Sequence, residues 1–111
     1  MSKVITSPIE RFSGTVVLSD PLTYPQLFAF EDALRAVKEL DGEKNARRVY
    51  YAMLPGIIAC VEEWHLEGVP DKPRPDTFPA SPGESAARLV AWLLNEVTAL
   101  NDEANDVPLV S

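Results

Sequence analysis

The sequence contains few of the residue types from which covalent and catalytic centres are built. Cys60 is the single cysteine, so no disulfide can form within the chain, and His65 is the single histidine. The five glycines are scattered, and none belongs to a glycine-rich phosphate loop with a neighbouring lysine and hydroxyl residue. These absences predict a protein of a reducing compartment, without a structural disulfide or a phosphate loop.

The sequence also lacks long apolar runs and an excess of positive charge. No run approaches the roughly 20 residues that span a bilayer, and residues 1–10 contain no apolar stretch of signal-peptide length. Ten basic residues are outnumbered by seventeen acidic ones, which leaves a net charge of −7. Nucleic-acid binders replace the counterions of phosphate with lysine and arginine, so this charge disfavours both nucleic acid and anionic membranes as partners. We expect a cytoplasmic protein that contacts neither.

The composition is otherwise that of a globular domain. The 111 residues suit a single domain, 1–111, with 46% apolar and 24% charged residues. Residues 14–20 are rich in β-branched side chains and end in Asp20-Pro21, which predicts a strand. A second extended piece at 3–6 could pair with it, so that 1–22 forms a β hairpin or arm. A lone hairpin is marginal in water, and this one is expected to pack on the rest of the chain.

Beyond the arm, the pattern predicts a mainly α fold. The expected elements are three to four helices, about 23–41, 43–54, 55–67 and 82–101, with a short N-terminal β element. The first helix begins with a capping box, in which Thr23 is followed three positions later by Gln26. The last begins with the cap signal Ser81-Pro82-Gly83-Glu84. Residues 102–111 are expected to form a frayed tail or a short linear contact element.

The middle of the chain has the most regular apolar stripe. From about residue 43 to 66, apolar side chains recur every three to four positions, which is typical of an amphipathic helix. Pro55 lies in the middle of this stripe, and proline removes a backbone donor and clashes with the preceding turn. We expect a kink there or a break into two short helices. The following proline-rich loop, 68–80, is expected to be anchored to the core by Phe78.

The segment 60–65 holds the best candidates for chemistry. Cys60 and His65 point in different directions on a helix, whereas a thiol–imidazole pair needs direct hydrogen-bond reach. Glu62 and His65 are three apart and could share a metal, but no second histidine completes such a site. We interpret Cys60 as a small buried hydrophobe and its neighbours as a solvated charged face. The sequence thus predicts no catalysis, no metal and no cofactor.

The charges of the long middle helix are arranged against its dipole. Arg47 and Arg48 lie near its start, and Glu62 and Glu63 lie near its end. Exposed charges in these positions cost only a few tenths of a kcal/mol each, so simple tolerance is one interpretation. The other is that they serve a partner, with the basic end of one subunit facing the acidic end of its neighbour in head-to-tail rings or filaments.

The order of these pieces resembles the tail assembly chaperones of long-tailed bacteriophages. The resemblance spans about residues 14–100 and rests on packing and turn residues, without a chemical signature. It is carried by Ser13-Gly14-Thr15-Val16-Val17-Leu18 before Asp20-Pro21-Leu22-Thr23, by Phe30-Glu31-Asp32-Ala33, by Leu54-Pro55-Gly56 leading into Cys60-Val61-Glu62-Glu63-Trp64, and by Phe78-Pro79-Ala80 followed by Ala91-Trp92-Leu93.

The resemblance implies a specific role. Members of this family bind the tape measure protein and keep it soluble in the host cytoplasm until the tail tube polymerises around it. They are absent from the mature virion, and many are made in two lengths by a ribosomal frameshift. The implied partners are the tape measure protein or another tail protein, together with further copies of the chain as a homo-oligomer. The family offers no motif of binding residues that can be transferred to this sequence.

Four aromatic residues are candidates for the contact surface, because they sit off the main apolar stripes: Tyr24, Phe28, Tyr51 and Trp92. Their alternative role is packing against the N-terminal β element. Two other functions also remain open. A generic protein-binding module or regulator would act on one partner as a monomer or dimer. A small enzyme would require a pocket with convergent polar groups, for which the sequence offers almost no material.

Overall fold

The computed structural model describes residues 2–40, 42, 44, 46–70, 74–79 and 83–105. In chain order they form strand β1 (Ser2–Thr6), strand β2 (Gly14–Ser19), helix α1 (Tyr24–Lys38), helix α2 (Ala46–Ala59), strand β3 (Val61–Leu66) and helix α3 (Gly83–Asn105). Two 3-10 turns, Glu10–Phe12 and Pro75–Thr77, lie in the connections. The fold is therefore mixed α/β, and the prediction of a mainly α fold with a short β element was only partly right.

Of the two possibilities for residues 1–22, a hairpin or an extended arm, the structure shows the hairpin, which is part of a larger sheet. β1 and β2 pair antiparallel from Ser2↔Ser19 to Thr6↔Thr15, and β2 also pairs antiparallel with β3 to give the order β1-β2-β3. Alternate side chains such as Ile5, Val16 and Leu18 are buried, whereas Val4 is 64% exposed. One face of the sheet thus packs on the core and the other faces solvent, as is common in antiparallel sheets.

Strand β3 overturns the predicted helix 55–67. Its register against β2 shifts, because Val17 pairs with Glu63 whereas Leu18 pairs with Val61. Glu62 is therefore the extra residue of a β-bulge. The bulge separates the buried Val61 and Trp64 by three positions instead of two. A spacing of three also fits a helix, which is why the apolar stripe of α2 seemed to continue through the strand.

Helix α2 is a single helix, although the sequence also allowed a break into two short helices at Pro55. It runs through Pro55 without a break, so the predicted helices 43–54 and 55–67 are replaced by Ala46–Ala59. Gly56 lets α1 approach closely, since a Cβ at this position would lie 2.7 Å from the Ala33 Cβ and 2.9 Å from the Phe30 Cα. Real Cβ contacts are longer than this, so the crossing of α1 and α2 requires a residue without a side chain.

The other helices keep their predicted places with shifted ends. The capping box of α1 is present, with the Thr23 hydroxyl accepting from the Gln26 N–H and the Gln26 side chain accepting from the Thr23 N–H. α1 ends at Lys38 instead of residue 41. α3 extends to Asn105, so residues 102–105 of the predicted tail are helical. The predicted cap at Ser81 and the tail residues 106–111 lie outside the described residues.

The core lies between the sheet and the helices. Its buried apolar side chains form one cluster, in which Trp64 and Phe30 are the largest fully buried residues. The Trp64 ring N–H donates to the carbonyl of Pro70, and the ring of Phe78 meets Trp64 edge-on with centroids 6.1 Å apart. Phe78 packs partly buried against the cluster, which confirms its role as the anchor of the proline-rich loop.

Candidate protein-binding surface

Two aromatic rings stand together on the outer face of α1. Tyr24 and Phe28 are four residues apart, which places them on the same side of a helix. Their rings stack with centroids 6.1 Å apart and an angle of 22° between their planes. Tyr24 is 75% exposed and Phe28 is 59% exposed, so neither ring is covered by the rest of the chain. We refer to these two side chains as the aromatic pair.

The aromatic pair plays no part in the core, because α1 buries a different face. Leu27, Phe30 and Ala33 point inward and are buried. Phe28 and Phe30 lie only two residues apart, yet Phe30 is fully buried. On a helix, neighbours separated by two positions point in nearly opposite directions. The proposed alternative, packing of Tyr24 and Phe28 against the N-terminal β element, therefore does not fit their exposure.

Charged side chains follow the aromatic pair along the same helix. Glu31 and Asp32 follow Phe28 and are exposed, and Asp32 forms an ion pair of 3.2 Å with Arg35. An exposed apolar spot with charged neighbours is the usual composition of a small contact surface, with an apolar centre and a polar rim. The outer face of α1 can therefore bind an apolar side chain of a partner while its rim stays hydrated.

Tyr51 lies on a different part of the surface. The Cys60 thiol lies 3.9 Å from the carbonyl of Gln26, and Gly56 lies against Phe30, so α1 and α2 run antiparallel. By this alignment Tyr51 is level with the C-terminal half of α1, about 12 Å along the helix from Phe28 at the usual rise per residue. Tyr51 is 56% exposed. It is therefore available for contact, but the fold does not join it to the aromatic pair.

Trp92 is the least available of the four aromatic candidates. It lies on α3, is only partly exposed, and packs against the core cluster. Its position on the flank of the α3 stripe explains this, because a side chain as large as tryptophan reaches the core from a flanking position. The structure thus divides the four candidates into an exposed pair, a separate exposed tyrosine and a tryptophan that belongs mainly to the core.

The predicted reversal of charge along one helix is wrong. Arg47 and Arg48 lie in the first turn of α2, and Arg48 is exposed, whereas the side chain of Arg47 lies outside the described part of the structure. Glu62 and Glu63 follow the end of α2 and lie on strand β3. Glu62 accepts a 2.6 Å hydrogen bond from the Ser2 hydroxyl. The premise of head-to-tail assembly through two ends of one helix therefore no longer holds.

The segment 60–65 does not assemble a catalytic pair. Cys60 is fully buried at the junction of α2 and β3, where its thiol donates to the carbonyl of Gly56 at 3.5 Å. Desolvation by burial raises the pKa of the Cys60 thiol to about 11, so it stays protonated at neutral pH. His65 is exposed on the outer face of the sheet, 3.7 Å from Glu63. Among the described residues, no group of three or more His, Cys, Asp and Glu side chains could hold a metal ion.

One charged cleft escaped the sequence analysis. It lies between the turn Glu10–Phe12 and the start of α3, has a volume of about 350 Å³, and is partly open to solvent. It is lined by Ile9, Glu10, Arg11, Ser85 and Arg88. Arg11 and Arg88 are far apart in the sequence, so no local pattern could indicate their proximity. Such a cleft can accept a charged side chain from a partner.

Comparison with known proteins does not add to this description. No family model, curated protein or solved structure matches the chain. Within the described residues, no helix combines the length and the apolar character needed to cross a membrane. The candidate surface therefore rests on the geometry of α1 and the character of its side chains.

Proposed function

We propose that this protein is a non-catalytic assembly factor that binds another protein through the aromatic pair on α1. The observation that carries the proposal is the stacking of Tyr24 on Phe28 while both rings remain mostly exposed. Large aromatic rings dominate the binding energy of protein interfaces, because they bury much apolar area and lose little side-chain entropy. Two rings held together on a rigid helix form a preorganised anchor of this kind.

The shape of this surface suits a helical partner. A stacked pair at positions i and i+4 forms a short ridge, and ridges of this kind pack between the side chains of a second helix. The partner would present apolar residues at positions i, i+3, i+4 and i+7, which is how amphipathic helices are recognised. The acidic Glu31 beside the ridge would favour a basic residue on the flank of that stripe, whereas Asp32 already pairs with Arg35.

The partner that we propose is the tape measure protein of a long-tailed bacteriophage, and the role is that of a tail assembly chaperone. The resemblance in the order of packing and turn residues supports this assignment. The net charge of −7 supports it too, because a coat of like-charged molecules keeps an apolar helical chain in solution by mutual repulsion. Such a protein would act in the host cytoplasm, need no cofactor, and be absent from the finished particle.

Co-expression with the tape measure protein of the same phage tests this function. The soluble fraction of the tape measure protein should rise with the wild-type chain. The double variant Tyr24→Ala/Phe28→Ala should weaken binding about tenfold or more, as expected for the loss of two anchoring rings. Leu34→Ala is the matched control, because Leu34 lies on the same helix, is 42% exposed and is not part of the pair. It should bind as the wild type does.

Two different results would contradict the proposed partner and the proposed binding surface. If the wild-type chain leaves the tape measure protein aggregated, the chaperone assignment is wrong. A generic protein-binding module or regulator with one different partner would then be favoured, and the small area of the aromatic pair is compatible with a single defined target. If the double variant keeps the tape measure protein soluble as well as the wild type does, the proposed partner is correct but the aromatic pair on α1 is not the binding surface.

A further inference from the structure

Along the outer edge of strand β1, the backbone N–H and C=O groups have no hydrogen-bond partner among the described residues. In an antiparallel pair, residues alternate between exchanging hydrogen bonds with the partner strand and pointing away from it. The Ser7 N–H donates to the Gly14 carbonyl, which sets this alternation for the β1–β2 pair. It follows that Lys3 and Ile5 bond to β2. The N–H and C=O groups of Ser2, Val4 and Thr6 point away from the sheet.

The opposite edge of the sheet is protected. The bulge at Glu62 interrupts the outer edge of β3. The Leu66 carbonyl accepts from the Val69 N–H, so the turn after β3 occupies the end of this edge. Bulges, charges and covering loops are the usual means by which proteins block the pairing of an edge strand.

Within the described part of the chain, β1 has neither a bulge nor a turn that bonds to its outer edge. The strand Ser2–Thr6 is regular in register and contains no proline and no acidic residue. Its one charged residue, Lys3, points toward the helices and pairs with Glu96 of α3 at 3.8 Å. In a chain of net charge −7, two copies repel each other over most of their surface. The strand itself adds no acidic group to this edge, although the Glu62 carboxylate accepts from the Ser2 hydroxyl at one end of it. An antiparallel pair of β1 strands would place the two Glu62 carboxylates at opposite ends of the contact.

We propose that β1 pairs antiparallel with β1 of a second copy of this chain, with a twofold axis at Val4. This register joins the two sheets into a continuous six-stranded sheet. Ser2 lies opposite Thr6 of the second copy, and Val4 lies opposite its own counterpart. The outward N–H and C=O groups of all three residues then find partners on both copies.

The side chains on the exposed face of the sheet are also compatible with this register. Val4 already lies beside Val17, and Thr6 lies beside Thr15. In the dimer, a row of four valines crosses the sheet, flanked by rows of serine and threonine hydroxyls. Cross-strand pairs of β-branched and hydroxyl side chains stabilise sheets. The exposed Val4 would be partly covered by its counterpart, which gives a role to an apolar side chain that the monomer leaves 64% exposed.

The small size of the contact sets its strength. A five-residue strand is roughly 17 Å long, so the interface is smaller than that of a stable obligate dimer. We therefore expect weak, reversible dimers that form as the protein concentration rises. This inference is independent of the proposed partner, because β1 shares no residue with the aromatic pair and the dimer is measured with the chain alone.

Sedimentation velocity over a concentration series tests the dimer. The wild-type chain should shift from monomer toward dimer between about 10 μM and 1 mM, a range suited to a weak interface. Val4→Pro should remain a monomer throughout, because proline removes the outward N–H of Val4 and leaves the hydrogen bonds to β2 intact. Unchanged far-UV circular dichroism would show that this variant is folded. A wild-type chain that stays monomeric at 1 mM would overturn the proposal.

A charge variant tests the same axis without a change in the backbone. Val4→Lys places two ammonium groups opposite each other at the twofold axis and should abolish the dimer, although it makes the chain less negative. Thr15→Lys adds the same charge to the same face but one strand away from the interface, and it should dimerise as the wild type does. Equal dimerisation of the two lysine variants would exclude the proposed axis.

Disulfide trapping tests the register. Under mild oxidation Val4→Cys should form a covalent dimer, since residues opposite each other in antiparallel strands are close enough for a disulfide. Thr15→Cys should not, because two strands of the dimer separate it from its counterpart. The buried Cys60 thiol remains inert in both variants. Efficient trapping of Thr15→Cys but not of Val4→Cys would show that the copies associate through another surface.

Discussion

The two faces of helix α1 carry the same kinds of residue in different environments. On the inner face, Phe30 is fully buried and Ala33 lies against Gly56 of α2. On the outer face, Tyr24 and Phe28 stack on each other and remain mostly exposed. Aromatic residues in a helix therefore do not all belong to the core. The inner face determines how stable the domain is, and the outer face is available to a partner.

The largest expected loss of stability comes from a substitution on the inner face of α1. Phe30→Ala should lower the free energy of unfolding by about 3–5 kcal/mol, because it removes a fully buried ring and leaves a cavity. Phe28→Ala is the matched change on the outer face and should alter it by no more than about 0.5 kcal/mol. Urea denaturation of the two variants measures the difference directly. Similar losses of stability would mean that Phe28 is not exposed as described.

A smaller loss of stability is expected from a substitution at the contact between the inner face of α1 and helix α2. Gly56→Ala should destabilise the protein by about 1–3 kcal/mol, because the added methyl group would push against Ala33 and the backbone of α1 at Phe30. The thermal midpoint should fall correspondingly. Pro55→Ala is a useful control in the same helix, since Pro55 is exposed and its replacement adds no group to the contact. If Gly56→Ala were as stable as the wild type, the close crossing of α1 and α2 would be wrong.

The third expected effect is a loss of stability at alkaline pH. Burial raises the pKa of the Cys60 thiol from 9.0 to about 11. Above pH 9 the unfolded chain loses this proton while the folded chain keeps it, so unfolding becomes more favourable as pH rises toward 11. Denaturation between pH 8 and 11 should show this loss in the wild type. Cys60→Ala removes the titrating group, and its stability should vary less over the same range. Identical slopes would show that Cys60 is not desolvated.

Much of the fold was predictable because its signals are local. The capping box of Thr23 and Gln26 marks the start of α1 within four residues. The turn at Asp20-Pro21 and the β-branched stretch before it predicted β2 correctly. β3 was not predictable in this way. Its bulge gives Val61 and Trp64 a helical spacing, and only the register against β2 distinguishes a bulged strand from a continued helix.

The candidate surface was also only partly predictable from local sequence signals. Tyr24, Phe28 and Tyr51 lie off the apolar stripes, and all three are exposed. Trp92 lies off its stripe as well but packs against the core, since a large ring can reach the core from a flanking position. The distance between Tyr51 and the aromatic pair depends on how α1 and α2 align, and this is not encoded in the spacing of residues within either helix.

The sequence by itself determined the features whose cause is contained in a few neighbouring residues: strand β2, the start of α1, the course of α3 and the acidic, cysteine-poor character of the chain. Only the tertiary structure decided that β1 pairs with β2, that residues 61–66 form a strand, and that Gly56 lies against α1. The physical reason is the range of the interactions. Caps and periodicity act within one or two helical turns, whereas strand pairing and helix crossing depend on contacts between residues far apart in the chain.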